Sequence, residues 1–226
     1  MPDLMAWFED LGLRRDSPIT KTVDNAQVQG AWVKTVKGQY VLGGDLAAAI
    51  IFYRGEVATS LGLLTAGQSG IVSNILYGQD TLSLFRQGAI LSPGIQVEII
   101  KYLPSVRYTV QAKNGREKEI SLDAAAHVWG VSGEKHVQLA AVYMGETFIV
   151  KLFSSPGVKD RFLSWGMGKG VRLSLRRIDS VDSMIPYMEV EGTAQKILLP
   201  KGYADYIYVR VCEICWSCGA CMVSGE

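Results

Sequence analysis

The alternation of apolar and polar residues predicts a protein built mainly of β-strands, with a short helix at its start. Apolar residues at helical spacing, with Gly12 as a stop, predict an amphipathic helix over residues 3–11. After Pro18 the apolar segments are rich in β-branched and aromatic residues and are separated by turn residues, which is typical of strands. These segments are residues 19–23, 28–36, 40–53, 57–64, 71–77, 95–103, 171–178 and 188–199. Within the third segment, Gly43-Gly44 indicates a bulge or bend.

A hairpin is predicted around the dipeptide Asn114-Gly115. A type I′ turn needs positive φ at both central residues, and Asn-Gly is the dipeptide that meets this demand. The arms of the hairpin are the alternating segments 106–112 and 119–122. The run of alanines that follows the second arm predicts a helix over residues 122–131, because alanine has the highest helix propensity.

The predicted fold class is β-rich α+β: a barrel or sandwich of short antiparallel strands with one or two short helices. A second hairpin, joining residues 137–143 to 147–153, adds to the strand content. A five-stranded oligonucleotide-binding (OB-like) barrel is one candidate, but strand counting alone does not select it. We predict a single domain over residues 1–210, with a weak boundary near 154–157, and a cysteine-rich tail over 211–226. No internal repeat is evident in the sequence.

The composition describes a globular chain without a strong overall charge. Of the 226 residues, 48% are hydrophobic and 20% are charged, which excludes intrinsic disorder. The formal net charge of +1 provides no global attraction to DNA or to an anionic membrane. The amino-terminal residues lack the basic stretch of a signal peptide, and the longest apolar run, residues 46–53, is too short to span a membrane. A cytoplasmic protein without membrane contact is therefore expected.

Four cysteines with uniform C-x₂-C spacing form the clearest chemical motif. They are Cys212, Cys215, Cys218 and Cys221. A C-x₂-C step lets two thiolates converge on one ion, and four thiolates fill the tetrahedral shell of zinc without leaving an open position. The sequence therefore predicts a structural zinc clip at the carboxyl end, where a reducing cytosol favours metal binding over disulfides.

The same run resembles part of the cluster-binding motif of bacterial ferredoxins, in which C-x₂-C-x₂-C holds a [4Fe–4S] cluster. It departs from that motif in its last spacing, and Met222 stands where the ferredoxins have proline. The resemblance covers only the cysteine run and implies no family. It leaves an iron–sulfur cluster as the alternative cofactor, with disulfides or a free thiol tail as the remaining possibilities.

A locally basic segment interleaved with aromatic residues lies between residues 151 and 177. It holds seven basic residues against Asp160 as its single acid. Cations that follow phosphates, with rings on which bases stack, are what a site for single-stranded nucleic acid requires. Strand alternation places Arg172 and Arg176 in phase and Arg177 on the other face. The predicted binding residues are Lys159, Arg161, Trp165, Lys169, Arg172, Arg176 and Arg177. The alternative is a solvated charged face over core aromatics.

No catalytic constellation is evident. The sequence Gly67-Gln68-Ser69-Gly70 lacks the spacing of a nucleophile elbow, and both His127 and His136 fit ordinary structural positions. Three functions therefore stay open. The first is a non-catalytic protein that binds single-stranded DNA or RNA and carries a structural metal. The second is a structural or assembly subunit of a viral or cellular complex, with protein partners or further copies of itself. The third is an iron–sulfur or other metal-dependent redox protein.

Overall fold

The computed structural model describes residues 2–14, 17–21, 30–54, 57–76, 91–113, 115–181, 187–190 and 196–198. The four α-helices in these residues are α1 (Pro2–Asp10), α2 (Gly44–Ala49), α3 (Leu122–Ala126) and α4 (Pro156–Ser164). Two 3₁₀ helices are η1 (Leu61–Leu63) and η2 (Leu139–Ala141). The strands are β1 (Ile19–Lys21), β2 (Gly30–Thr35), β3 (Gly38–Leu42), β4 (Ile50–Arg54), β5 (Val57–Ser60), β6 (Ser69–Ile75), β7 (Gln96–Leu103), β8 (Val106–Ala112), β9 (Lys118–Ser121), β10 (Val128–Ser132), β11 (Lys135–Gln138), β12 (Thr147–Phe153), β13 (Arg172–Ser180), β14 (Tyr187–Val190) and β15 (Lys196–Leu198).

Two six-stranded antiparallel sheets make up most of the molecule. The first has the strand order β3-β2-β7-β6-β4-β5, and the second has the order β11-β10-β12-β13-β8-β9. A third, three-stranded sheet of order β1-β14-β15, here called the terminal sheet, combines a strand from the amino-terminal part of the chain with two from its carboxyl-terminal part. The prediction of a β-rich protein with antiparallel strands and few helices is confirmed.

Three apolar clusters form the core. One lies inside the second sheet and is closed by α3 and α4, and another lies inside the first sheet. The third joins α1 to the terminal sheet, where Trp7 is fully buried beside Leu76 and Ile197. The helix predicted over residues 3–11 is therefore confirmed as α1, and its apolar side is what attaches the amino-terminal end to the rest of the fold.

The strand predicted over residues 40–53 is wrong in its middle, because the chain forms α2 there. Gly43 is not part of a bulge: it is the N-cap of α2, and its carbonyl accepts a hydrogen bond of 2.9 Å from the Ala47 N–H. The alanines of this segment favour a helical turn, and strand geometry resumes only at the β-branched Ile50.

Two further predictions need correction in the second sheet. The helix predicted over residues 122–131 ends at Ala126, because the next residues are β-branched or aromatic and form β10. The hairpin predicted between residues 137–143 and 147–153 does not form. Instead, β11 pairs with β10, while β12 lies between β10 and β13. The pairing of β8 with β9 is confirmed by its register, in which Tyr108 faces Ile120. The type I′ turn predicted between them is wrong, because Gly115 lacks the positive φ that such a turn requires.

The helix α4 was not predicted. It begins at Ser155, whose hydroxyl accepts a hydrogen bond from the Val158 N–H at 3.4 Å, and Pro156 opens its first turn. No described helix is long and apolar enough to cross a bilayer.

Candidate functional site

The two large sheets have the same topology. The strands β2 to β7 can be matched in chain order with the strands β8 to β13. Under this match the order β3-β2-β7-β6-β4-β5 of the first sheet becomes β9-β8-β13-β12-β10-β11. This is the order of the second sheet, read from its other edge. The helices agree as well: α2 matches α3, and η1 matches η2. We call residues 30–103 unit 1 and residues 106–180 unit 2.

The irregularities of the sheets also match between the units. In unit 1 the pairing of β2 with β7 skips Ile100, and in unit 2 the pairing of β8 with β13 skips its counterpart Arg176. The pairing of β4 with β6 skips Ser73, and that of β10 with β12 skips its counterpart Lys151. A β-bulge is a specific local feature that bends and twists a strand. Two bulges at matching places are therefore strong evidence of a repeated unit.

The same backbone hydrogen bonds and glycine conformations recur. Gly67 and Gly145 have φ of 84° and 82°, and Gly94 and Gly170 have φ of 86° and 85°. This left-handed region favours glycine because other residues carry a Cβ that clashes there. The bonds in unit 1 run from Gly67 N–H to Ile99 O (2.7 Å), Val72 N–H to Ile95 O (2.9 Å) and Gly94 N–H to Val72 O (2.8 Å). Those in unit 2 run from Gly145 N–H to Leu175 O (3.2 Å), Val150 N–H to Val171 O (3.0 Å) and Gly170 N–H to Val150 O (2.8 Å).

The core positions of the two units coincide, and each member of the matched pairs is buried. The pairs are Ala47 and Ala125, Ile50 and Val128, Leu61 and Leu139, Val72 and Val150, Val97 and Leu173, and Ile99 and Leu175. The chain therefore contains one structural unit twice, which the sequence did not reveal. A faint signal was present: Gly67-Gln68 precedes Ile71-Val72 just as Gly145-Glu146 precedes Ile149-Val150. Residues 154–157, where a weak boundary was predicted, join β12 to α4 inside unit 2.

The contact between the units, here called the seam, is centred on the buried side chain of Gln138. Its Oε1 accepts a hydrogen bond of 2.7 Å from the Val41 N–H, and its Nε2 donates to Val41 O at 2.8 Å and to Ala126 O at 2.6 Å. The amide thus pairs with the outer edge of β3 as a neighbouring strand would. Tyr40 and Trp129 meet beside it, with ring centroids 5.8 Å apart.

Unit 1 also completes the core of unit 2. Val41 is buried within that core, and the partly buried Trp32 and Leu103 pack against it. Complete burial of an aliphatic side chain such as Val41 stabilises a fold by about 1.5–3 kcal/mol, so this contact contributes to the stability of unit 2.

A small cavity in the seam contains the pair His127 and Ser154. The Nδ1 atom of His127 lies 2.8 Å from Ser154 Oγ, and that hydroxyl also donates to His127 O at 3.3 Å. Burial lowers the pKa of His127 to about 4, so the ring is neutral near pH 7. The cavity volume of about 10 Å³ is that of a single water. Because the pair faces so small a space, it cannot act on a bound substrate in this conformation.

The seam is a head-to-tail contact, since each unit contributes a different surface. Unit 1 uses its β3 edge, and unit 2 uses the face formed by α3, β11 and η2. In unit 1 the equivalent face of α2, β5 and η1, here called the acceptor face, is covered by β15. In unit 2 the equivalent of the β3 edge is β9, which has β8 as its only neighbour among the described strands. The terminal sheet, unit 1 and unit 2 thus follow one another in a row, with the β9 edge at the end.

The predicted nucleic-acid-binding residues are divided between two sides of the second sheet. Lys159 and Arg161 lie exposed on α4, which packs through Phe162 against the core side of that sheet. Lys169 is exposed in the turn after α4. Trp165 packs against the core, with its ring 5.6 Å from Phe162 and 5.5 Å from Lys118 Nζ.

The three arginines of β13 lie together on the outer side of the sheet. The bulge at Arg176 shifts the alternation, so Arg177 shares the face of Arg172 and Arg176 and does not point the other way. Two of them already have side-chain partners: Arg177 is paired with carboxylates, and Arg176 is hydrogen-bonded to an amide. Arg177 Nε lies 2.6 Å from Asp179 and its Nη2 lies 3.6 Å from Glu119, and the hydrogen bond to Asp179 raises the pKa of Arg177. Arg176 donates to Gln111 Oε1 at 2.7 and 2.9 Å, and Arg107 Nη1 lies 3.1 Å from Glu119.

The four cysteines predicted to bind metal lie outside the described residues. Within the part of the chain that the structure describes, no three residues of the metal-binding types come together. His136 is exposed on β11.

The fold and these sites define a β-rich protein made of two equivalent units joined head to tail. Searches against protein-family models, curated proteins and solved structures found no match to this chain.

Proposed function

We infer that this protein is a structural subunit that assembles with further copies of itself. The observation that carries the proposal is the head-to-tail seam between two equivalent units. Interfaces that join two different surfaces generate rings when the rotation closes and filaments when it does not. The chain already contains one such step internally, and β9 has only one neighbour among the described strands. This is the construction of a piece of a larger assembly.

The assembly prediction is tested by the mass of the full-length protein in solution. Light scattering coupled to size-exclusion chromatography, over a hundredfold range of concentration, should reveal a defined oligomer well above the 24.7 kDa of one chain. Negative-stain microscopy would then distinguish a closed ring from a filament. A single species at the mass of one chain throughout that range would contradict the proposal.

Binding of single-stranded nucleic acid is the second candidate function. It is favoured by the exposed face that Arg172, Arg176 and Arg177 share. If phosphates bind there, Arg172→Ala should weaken oligonucleotide binding several-fold and flatten its dependence on salt, because fewer counterions are released. Lys159→Ala, on the other side of the sheet, should have little effect. Fluorescence anisotropy with labelled DNA and RNA measures both, and a lack of binding at low salt would eliminate this candidate.

Three finer predictions accompany these proposals. The cysteines Cys212, Cys215, Cys218 and Cys221 form a structural metal clip that holds zinc or, alternatively, a [4Fe–4S] cluster, and metal analysis of the purified chain would distinguish the two. The third function, that of a redox protein, requires that the metal analysis find the iron–sulfur cluster. A cytoplasmic location and a resemblance of one unit to an OB-like barrel likewise stay predictions.

A further inference from the structure

We propose that the β9 edge of one copy docks on the acceptor face of unit 1 in a second copy of this chain. This inference rests on the self-assembly proposed above and names the two surfaces that make it. The contact between copies would repeat the seam within each chain, with β9 in the role of β3 and the face of β5, η1 and α2 in the role of β11, η2 and α3.

The matched registers of the units identify the residues of the docking edge. Within unit 1, Ala31 pairs with Leu42, and within unit 2 its counterpart Tyr108 pairs with Ile120. The residue of β9 that corresponds to Val41 is therefore Glu119. Because the Val41 N–H points out of its sheet toward Gln138, the N–H of Glu119 points out of the second sheet in the same way. Unpaired backbone groups along a strand edge are a template for pairing with another chain.

The acceptor face of unit 1 contains a polar residue at the position that Gln138 has in unit 2. Ser60, at the end of β5, is the counterpart of Gln138, at the end of β11, since each directly precedes its matched 3₁₀ helix. Its side chain is fully buried, and its Oγ has no hydrogen-bond partner among the described residues. A buried hydroxyl without a partner is costly, and a hydroxyl can both donate and accept. The outward backbone groups of Glu119 in a docked copy would supply the missing partner.

The terminal sheet occupies the acceptor face in the single chain. Its strand β15 lies against β5, η1 and α2. Leu198 packs so closely on Gly62 that a Cβ added to this glycine would lie 2.9 Å from Leu198 Cδ1. Docking of β9 therefore requires this three-residue strand to give way. The described part of the chain thus has two faces of the acceptor type and three segments that can cover them, β15, β3 and β9. Of these three segments, β9 is the one that covers neither face.

Substitutions at Glu119 test the docking edge in the full-length protein. Glu119→Pro removes the outward N–H, which an edge strand tolerates because that N–H takes no part in its own sheet. Glu119→Gln is the matched control, because it keeps the N–H. Glu119→Lys is a second blocking variant that places another cation beside Arg107 and Arg177, and lysine on an edge strand opposes pairing. We expect the two blocking variants to raise the midpoint concentration of assembly at least tenfold, and Glu119→Gln to leave it within about twofold of the wild type.

The outcomes separate this inference from the proposal on which it rests. Mass photometry gives the oligomer distribution, and circular dichroism checks that each variant is folded; if Glu119→Pro fails to fold, Glu119→Lys decides. A wild type that assembles, with blocking variants that stay monomeric and folded, supports docking through β9. Unchanged assembly of the blocking variants would overturn the docking edge and leave self-assembly standing. A wild type that stays monomeric at every concentration would overturn both.

Discussion

Replacing Gln138 with leucine is expected to lower the free energy of unfolding by about 4 kcal/mol. Leucine has nearly the same volume as glutamine but can neither donate nor accept a hydrogen bond. The substitution leaves the N–H and carbonyl of Val41 and the carbonyl of Ala126 without their present partner in a buried contact. Each unsatisfied buried group costs about 1–3 kcal/mol, and the costs at one site are not additive. Urea denaturation followed by tryptophan fluorescence measures the change.

Gln39→Leu is the matched control, since it makes the same substitution at an exposed position of β3. Its effect should stay within about 0.5 kcal/mol, as for most surface positions. Equal destabilisation by the two variants would mean that the hydrogen bonds of the Gln138 amide add nothing to stability, and that the seam does not depend on them.

Gly130→Ala is the second substitution with a large expected effect. A Cβ at this position of β10 would lie 2.2 Å from Ile149 O and 2.4 Å from Phe148 Cζ. The first of these is backbone of the paired strand β12, and Phe148 is fully buried, so neither can move away without disturbing the sheet. We expect a loss of about 3 kcal/mol in the free energy of unfolding, measured by the same denaturation.

Gly157→Ala provides the comparison for this variant. A Cβ at Gly157 meets no atom within 4 Å, and the residue lies in the first turn of α4. Alanine should be neutral there or stabilise by up to about 1 kcal/mol, because it restricts the unfolded chain and favours the helix. If both glycine variants were equally stable, the close approach of β10 to β12 at Gly130 would be wrong.

Local patterns in the sequence were sufficient for the strand-rich class and for several individual elements. The period-two alternation on both sides of Asn114-Gly115 predicted β8 and β9, because those strands pair across a short turn and each buries one face. The same reasoning failed at residues 46–49, because an uninterrupted run of apolar residues shows neither the two-residue period of a strand nor the 3.6-residue period of a helix. Whether such a run becomes a strand or a helix is decided by tertiary packing, here by the contact of α2 with η1 and α3.

The seam and the repeat lay beyond sequence reasoning for a different reason. Gln138 and Val41 are 97 positions apart, and nothing in the residues around a polar glutamine shows that its amide will pair with a distant strand edge. The repeat is carried by backbone geometry, since the bulge at Ile100 matches one at Arg176, although an apolar residue corresponds to a cation. The same bulge explains why Arg177 was assigned to the wrong face: one skipped residue reverses the alternation beyond it.

The contribution of Val41 and Trp32 to the core of unit 2 has a consequence for biosynthesis. During translation unit 1 leaves the ribosome first, and the outer edge of β3 stays unpaired until the segment around Gln138 has been made. The core of unit 2, in turn, includes Val41 and is contacted by Trp32 and Leu103, so it is complete only when unit 2 packs against unit 1. The edge of β3 and the interior of unit 2 are therefore completed by the same contact, which can form only after the segment around Gln138 has been synthesised.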